Sequence, residues 1–478
     1  MRVATVRAAS RAALAASRGL STSAPAATDA AASTAGRAFR VQPYDDVPLL
    51  ERPPRPPVDA SRLFTRAPIG AHTDADARRY FELRSDELER SFPEGVGTGV
   101  SREFAATNLP ALMVRPSALA ARRAIDALAA DAAALRSASA LVLTGARGAG
   151  KSATLSYLVH AARSSGWLVL HLPSAHAYLN GQRRFAPLAA SRVEISLVAA
   201  PADSADGAAA GLGASATELD ALFDVPAATA ALLRGFARAH ETALAKIDTR
   251  TSQTQALSRA LNSQLGTLAD LVQLGTATDA AGADTELCSH ALVALLAELA
   301  HVTDAPVMIA VDDANIFDRA TAFRDPHTAK PLPARSFLLP ALLRSAATAG
   351  SSMRRGLVLC APSASLSYHP HETPRAHKRR VRDERARTQS WAAVDVRARG
   401  AEPPAAGLTL VDVPPYDEAE LSAALSYYAH CAAWLPPAEL SAGLAPAKAG
   451  AADGAARQVH LLTASRGEAV RKLCTRLG

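Results

Sequence analysis

Cysteine is scarce in this chain, and what there is lies scattered. Cys288, Cys360, Cys431 and Cys474 are far apart and form no C-x-x-C pair, which excludes both a disulfide framework and zinc-ligand spacing. They are expected to be small core residues. Long apolar runs are missing too: none approaches the roughly 18 residues that a bilayer-spanning helix requires. Acidic residues are absent ahead of Asp29, while Arg2, Arg7, Arg11 and Arg18 stand among Ala, Ser and Thr. An acid-free, arginine-spaced start of this kind has the composition of a mitochondrial transit peptide over residues 1–28, with a chloroplast leader as its rival.

The formal net charge of +7 suggests nucleic acid until it is located. Most of it sits in that N-terminal stretch and in 375–387, where seven Lys/Arg face only Asp383 and Glu384. The remainder of the chain is slightly acidic. Arg375, Lys378, Arg379, Arg380 and Arg382 follow Pro370 and Pro374 and lie between two expected strands. A loop of this charge density suits an RNA phosphodiester backbone, whose neutralisation releases counterions; the bland alternative is a solvated charged loop. His369 and His371 beside it have no convincing ligand set and are not read as a metal site.

Residues 29–78 are rich in Ala, Pro, Ser and Thr, and Pro53-Pro-Arg-Pro-Pro57 excludes a helix or central strand there. Order is expected from about Arg79, with Ser85 as N-cap of a short helix and another helix over 116–135. Five apolar runs follow at 140–144, 167–172, 306–311, 356–360 and 408–411, separated by helical patterns at 152–164, 226–262, 286–301 and 335–349. The Ala-rich stretch at 199–215 reads as a surface insertion. Strands alternating with helices predict an α/β fold with a parallel sheet covered on both faces across 79–413. Only helical patterns follow, so 414–478 is expected to form a small helical lid domain.

The run Gly145-Ala-Arg-Gly-Ala-Gly-Lys151-Ser152 matches G-x-x-x-x-G-K-[ST] at every fixed position, between an apolar strand and a helix. In that setting backbone N–H groups and a helix N-terminus wrap a polyphosphate. Gly145, Ala146, Arg147, Gly148, Ala149, Gly150, Lys151, Ser152 and Ala153 are therefore the candidate nucleotide-binding residues. Lys151 would reach the β- and γ-phosphates, and Ser152 would join a Mg²⁺ shell. Asp312, at the end of a strand expected beside the loop-bearing one, is the second candidate for Mg²⁺. Asp313 is the candidate catalytic carboxylate, although a shorter Asp reaches an attacking water less well than Glu. Ser363 and Ser365 could approach the γ-phosphate or simply form a Ser-rich turn. No N-K-x-D pattern reads guanine, since Asn315-Ile-Phe-Asp318 lacks the Lys.

Several ordered segments together resemble the death-associated-protein-3 family of nucleotide-binding proteins of the mitochondrial ribosomal small subunit. They are Ser91-Phe-Pro-Glu-Gly95, Leu112-Met-Val-Arg115, the glycine loop, and Gly166-Trp-Leu-Val-Leu-His-Leu-Pro173 with Ala175-His176. Arg184-Phe185, Pro187-Leu188, Ala190-Ser191, Val307 to Asn315, and Pro414 to Glu418 through Tyr427-Tyr428 and Trp434 continue the likeness. The resemblance implies a P-loop NTPase fold related to AAA+ proteins, holding GTP or GDP (ATP being possible) with Mg²⁺. It also implies an architectural role, contacting rRNA and neighbouring small-subunit proteins in support of mitochondrial translation, and not as a homo-oligomer. This chain departs from the family at Asp313, where a small residue is common, and in its Ala-rich and basic insertions. Any NTPase activity is expected to be slow at most. The competing expectation is a free matrix AAA+-like ATPase that couples hydrolysis to remodelling.

Overall fold

The computed structural model describes residues 60–137, 140–181, 184–187, 222–276, 278–279, 282–283, 285–325, 327–348, 353–363, 408–431 and 459–477. The leader, residues 29–59 of the arm, the 199–215 insertion, Ser365, Trp434, and Arg375, Lys378, Arg379, Arg380 and Arg382 lie outside the described residues.

Among the described residues the chain is already packed ahead of the expected Arg79: a short helix at Ala60–Leu63 buries Leu63, and Ile69 is buried soon after. β1 (Tyr80–Glu82) pairs antiparallel with β2 (Ala111–Met113). Between them lie α1 (Ser85–Ser91) and α2 (Thr98–Thr107). Arg84, and not Ser85, occupies the N-cap of α1; Ser85 is already its first helical residue. α3 (Pro116–Ala130) starts on a proline whose missing N–H costs nothing at that position. The single helix expected to residue 135 breaks at Asp131, which is extended and whose carboxylate accepts from the Ala133 N–H at 2.8 Å to start a second short helix.

Among the described residues one five-stranded sheet forms the centre, with order β7-β3-β6-β5-β4 and every pair parallel. Its strands are β3 (Ala140–Thr144), β4 (Leu168–Leu172), β5 (Val307–Asp312), β6 (Gly356–Ala361) and β7 (Leu408–Asp412). The five apolar runs are therefore the five strands. β3, β4, β5 and β6 are buried and largely apolar on both faces because helices cover both. Leu141, Leu143, Val169, Met308, Ala310, Leu357 and Leu359 face α3 and α4 (Lys151–Ser164). The alternate residues Val142, Leu170, Ile309, Val311 and Val358 face the other helices. Those are α5 (Pro226–Leu244), α6 (Leu268–Thr276), α7 (Thr285–His301) and α8 (Leu338–Thr348).

One expectation about neighbours is corrected. β5, which carries Asp312, is not beside the loop-bearing β3, because β6 lies between them. α4 crosses that gap: leaving β3 at the carboxyl edge of the sheet, it packs on both β6 and β5.

The C-terminal helices α9 (Glu418–His430) and α10 (Gly467–Leu477) share a core with the N-terminal hairpin. Leu421, Leu425, Tyr427, Tyr428, Val470 and Cys474 cluster with Leu63, Tyr80, Ala111 and Met113. Asp417 caps α9, and its side chain and that of Glu420 close a reciprocal capping box. Cys288, Cys360 and Cys474 are buried and Cys431 is half-buried, and none of the four forms a disulfide.

Four buried histidines pack on or beside the sheet, three of them on its α4 side. His72 packs on Phe81 and Tyr157, His160 meets Glu87 at 3.0 Å, and His171 meets Glu94 at 3.0 Å. His240 lies against the backbone of Val169, whose N–H reaches its Nε2 at 2.9 Å. Burial lowers the pKa of each. For His240, burial and then the Arg163 charge bring it to about 4. A histidine depressed in the folded state contributes stability that is complete above its unfolded value near 6.5. That contribution is lost as pH falls towards the folded value. Buried Asp312 and Asp224 and half-buried Glu103 have raised pKa values and act in the opposite sense, so the informative quantity is a difference. Relative to His240→Gln, the wild-type chain should lose about 3 kcal/mol of stability between pH 7.5 and 4. Denaturant midpoints across that range measure it, and a pH-independent difference would contradict the assignment.

Candidate functional site

The loop between β3 and α4 takes a path that only glycine follows at its key points. Gly145, Gly148 and Gly150 have φ of +138°, +76° and +103°. At Gly145 a Cβ would lie 2.3 Å from the Val413 carbonyl oxygen, and at Gly148 2.9 Å from the Glu468 Cβ. The loop is thus clamped between the chain that leaves β7 and the start of α10. α4 begins directly on Lys151, and its N-cap, Gly150, has no side chain to satisfy the first amides. The Lys151 ammonium folds back into the loop, donating to the Gly145 and Ala146 carbonyls at 2.9 and 3.0 Å. It is 8 % exposed. Burial lowers its pKa, against the opposing pull of Asp312 and Asp313.

Asp312 ends β5 at 4 % exposure. Burial, and then the charge of Asp313, push its carboxyl up to about 7, while the Ser152 hydroxyl, the Asp313 N–H and Lys151 pull it back. Ser152 and Asp312 therefore meet even though their strands are not neighbours. Above them sits the turn before α2: a Cβ on Gly97 would lie 2.6 Å from Asp312 Oδ2 and 3.6 Å from the Ser152 Cβ. Asp313 adopts a left-handed conformation, φ +59°. Its Oδ2 accepts from the Ser174 hydroxyl at 2.9 Å, while its N–H donates to Asp312 Oδ1 at 3.0 Å. Asn315 and Ser363 exchange two hydrogen bonds, 2.7 and 2.8 Å, tying the end of β5 to the end of β6.

Arg115 joins these parts to the C-terminal helices. Following the buried run Ala111–Val114, it makes a two-pronged ion pair with Glu420 at 2.8 and 3.0 Å. It also donates to the Ala149 carbonyl at 2.6 Å and to the Pro414 carbonyl at 2.9 Å, and lies 4.9 Å from the centroid of the Tyr416 ring. One guanidinium thus holds the glycine loop, the exit from β7 and the start of α9. A second tie comes from α10: the Glu468 N–H donates to the Gly148 carbonyl at 3.1 Å, and its carboxylate lies 3.7 Å from Arg147.

These groups surround an open cleft of about 630 Å³ at the carboxyl edge of the sheet, within the usual range for small-molecule sites. Arg147, Gly148, Gly150, Lys151, Ser152, Ala153, Asp312, Asp313 and Ser363 line it. Gly145, Ala146 and Ala149 shape the loop from behind. The sequence reading did not assign Gly97, Glu103, Glu420 or Glu468 to the site, and met Arg115 and Tyr416 only within the resemblance. For Arg115 there was a usable signal, a charge directly after an apolar run. For the others there was none, since their partners are hundreds of residues away. Among the described residues no three His, Cys, Asp or Glu side chains converge as a metal cluster.

Known proteins resemble this chain as follows. The model of a family described as mitochondrial ribosomal death-associated protein 3 matches residues 112–198 and 211–440. The bovine small ribosomal subunit protein mS29 is 26 % identical over 130 residues, which covers 27 % of this chain and 32 % of the bovine protein. The aligned stretch thus spans about a third of that relative's length.

Proposed function

Because the chain belongs to the mitochondrial ribosomal death-associated protein 3 family and is a mitochondrial protein, we propose that it is a component of the mitochondrial ribosomal small subunit. In this reading it holds a purine nucleotide, GTP or GDP, with Mg²⁺ at the glycine loop, and contacts rRNA. The observation that carries the nucleotide part is the uncapped start of α4 behind three positive-φ glycines, with Lys151 buried in the loop and the side chains of Ser152 and Asp312 brought together beside Gly97. An uncapped helix N-terminus with a buried ammonium suits a polyphosphate. One hydroxyl and one carboxylate suit Mg²⁺, which keeps several waters and takes further oxygens from phosphate. A bound Mg–nucleotide would supply charge that neutralises Lys151 and Asp312 together.

The same residues argue for holding over turnover. Asp313, the candidate base, is turned into a left-handed position and bonded to Ser174. Arg115 and Glu468 tie the loop to α9 and α10, so a nucleotide would fasten three parts of the chain at once. Steady-state turnover with ATP and GTP tests this. A rate abolished by Lys151→Ala and reduced by Asp313→Asn would favour the free matrix ATPase instead. Sedimentation of the tagged protein in mitochondrial lysate tests the ribosomal part: it should travel with small-subunit particles, and migration free of them would overturn that assignment.

The rRNA contact rests on the basic segment of the sequence. Neutralising Arg379, Arg380 and Arg382 together should weaken RNA binding most at low salt. It should also make the dependence of log K on log salt shallower by about 2–3, as three phosphate contacts release fewer counterions. Filter binding between 50 and 200 mM salt reads the slope; an unchanged slope would contradict phosphate contact.

A further inference from the structure

The turn between α1 and α2 is clamped by a buried charge cluster that the nucleotide reading leaves unused. Arg163, in the last turn of α4, donates through Nη1 to the Ser91 carbonyl. Through Nη2 it donates to Glu94 Oε1 at 2.6 Å and to the Val169 carbonyl at 3.0 Å. His171 of β4 meets the same Glu94 oxygen through Nδ1 at 3.0 Å. α5 closes a further side: a Cβ on Gly235 would lie 2.8 Å from the Glu94 Cβ. Phe92 packs against both the His160 and the His171 rings, at centroid distances of 6.0 and 6.1 Å. The side chains of Glu94, Arg163 and His171 are 5, 6 and 1 % exposed.

Such a cluster is a poor device for stability alone, since apolar residues of similar volume often serve as well as a buried ion pair or better. Here the cost is greater, because Glu94 Oε2, Arg163 Nε and His171 Nε2 have no hydrogen-bond partner among the described residues. Burial raises the Glu94 pKa, yet the His171 hydrogen bond and the Arg163 charge outweigh it and leave the value below that of an ordinary carboxylate. What the cluster fixes is position. After Glu94 the chain turns at Gly95, φ +86°, whose N–H donates to the Phe92 carbonyl at 2.8 Å. It then reaches Gly97, the N-cap of α2 and the point of close approach to Asp312 and Ser152. The end of β4 bounds the same residue, for a Cβ there would also lie 3.3 Å from the Pro173 carbonyl oxygen.

Resting on the reading of the glycine loop above, we propose that Glu94 is a positioning residue: its buried cluster with Arg163 and His171 locks the turn over 91–97, so that Gly97 seats on Asp312 and Ser152 and holds that pair in the arrangement that takes Mg²⁺. Glu94 itself touches neither nucleotide nor metal. Its effect falls on the metal-dependent part of binding. The phosphate contacts of the glycine loop are spared, because that loop is held by β3, Arg115 and α10.

Calorimetric titration of the full chain with GDP, in Mg²⁺ and in EDTA, separates the two parts. Mg²⁺ should raise the wild-type affinity at least about tenfold. Glu94→Gln keeps the shape and removes the charge; it should abolish most of that rise and leave the affinity in EDTA within about twofold of wild type. A merely structural role would lower both affinities alike. Hydrogen exchange of the nucleotide-free chain is the second readout: amides over 92–101 should exchange at least about tenfold faster in Glu94→Gln, with those of β3 unchanged. An equal loss with and without Mg²⁺, a Mg²⁺ effect equal to that of wild type, or unchanged exchange over 92–101 would overturn this assignment and leave the glycine-loop reading intact. A wild type that binds no nucleotide overturns both. Should Glu94→Gln fail to fold, Glu94→Leu with Arg163→Met, which leaves neither partner of the ion pair alone, replaces it with the same expectations.

Discussion

Arg115→Ala is expected to destabilise the protein by about 3–5 kcal/mol, the usual cost of removing one partner from a buried ion pair. Arg115 and Glu420 are each 4 % exposed at the side chain, so truncation leaves a carboxylate with neither water nor a counter-charge. The Ala149 and Pro414 carbonyls lose their guanidinium donors in the same step. Much of the effect is therefore the penalty of the orphaned Glu420 and not the net worth of the pair. The double replacement Arg115→Met with Glu420→Leu should cost less than Arg115→Ala alone, since it leaves no unpaired charge. Denaturant unfolding of the single and double variants measures both. A single variant within about 1 kcal/mol of wild type, a typical surface effect, would show that the pair does not hold the loop to α9.

The second large effect concerns ligand-dependent stability. Without nucleotide, Lys151→Ala should change the melting temperature little, because two terms oppose one another. The Gly145 and Ala146 carbonyls lose a donor, while an ammonium whose pKa burial has lowered is no longer desolvated. With Mg–GDP at a hundredfold excess over its dissociation constant, wild type should gain about 2.7 kcal/mol by mass action. The variant should gain almost none of it. Melting with and without Mg–GDP reads the difference, and a variant retaining the full nucleotide-dependent rise would remove Lys151 from the site.

The resemblance drawn from scattered segments agrees with the family match across residues 112–198 and 211–440. The five strands were legible because each is a short, mostly apolar run bounded by glycine, proline or a carboxylate; four of them are buried on both faces, while Leu410 of β7 is exposed. Their neighbours were not. β6 follows β5 in the chain yet sits between β3 and β5, a placement decided by how α8 and α4 cross opposite faces of the sheet. The break at Asp131 was masked by alanine, whose helix propensity hides a single extended residue.

What the sequence determined by itself is what is local: the glycine loop, the helix that follows it, and the alternation of strand and helix. Positive φ at three glycines and an uncapped helix start depend on adjacent residues, so a motif can specify them. Only the tertiary structure decided that Asp312 reaches Ser152 across an intervening strand. It alone placed Arg115 against Glu420, 305 residues away, and Glu103 on the same cleft as the loop. Such pairings arise from the packing of α9 and α10 against the N-terminal hairpin. The residues around each partner carry no local record of that packing, because side chains so far apart in the chain meet only once the core has formed.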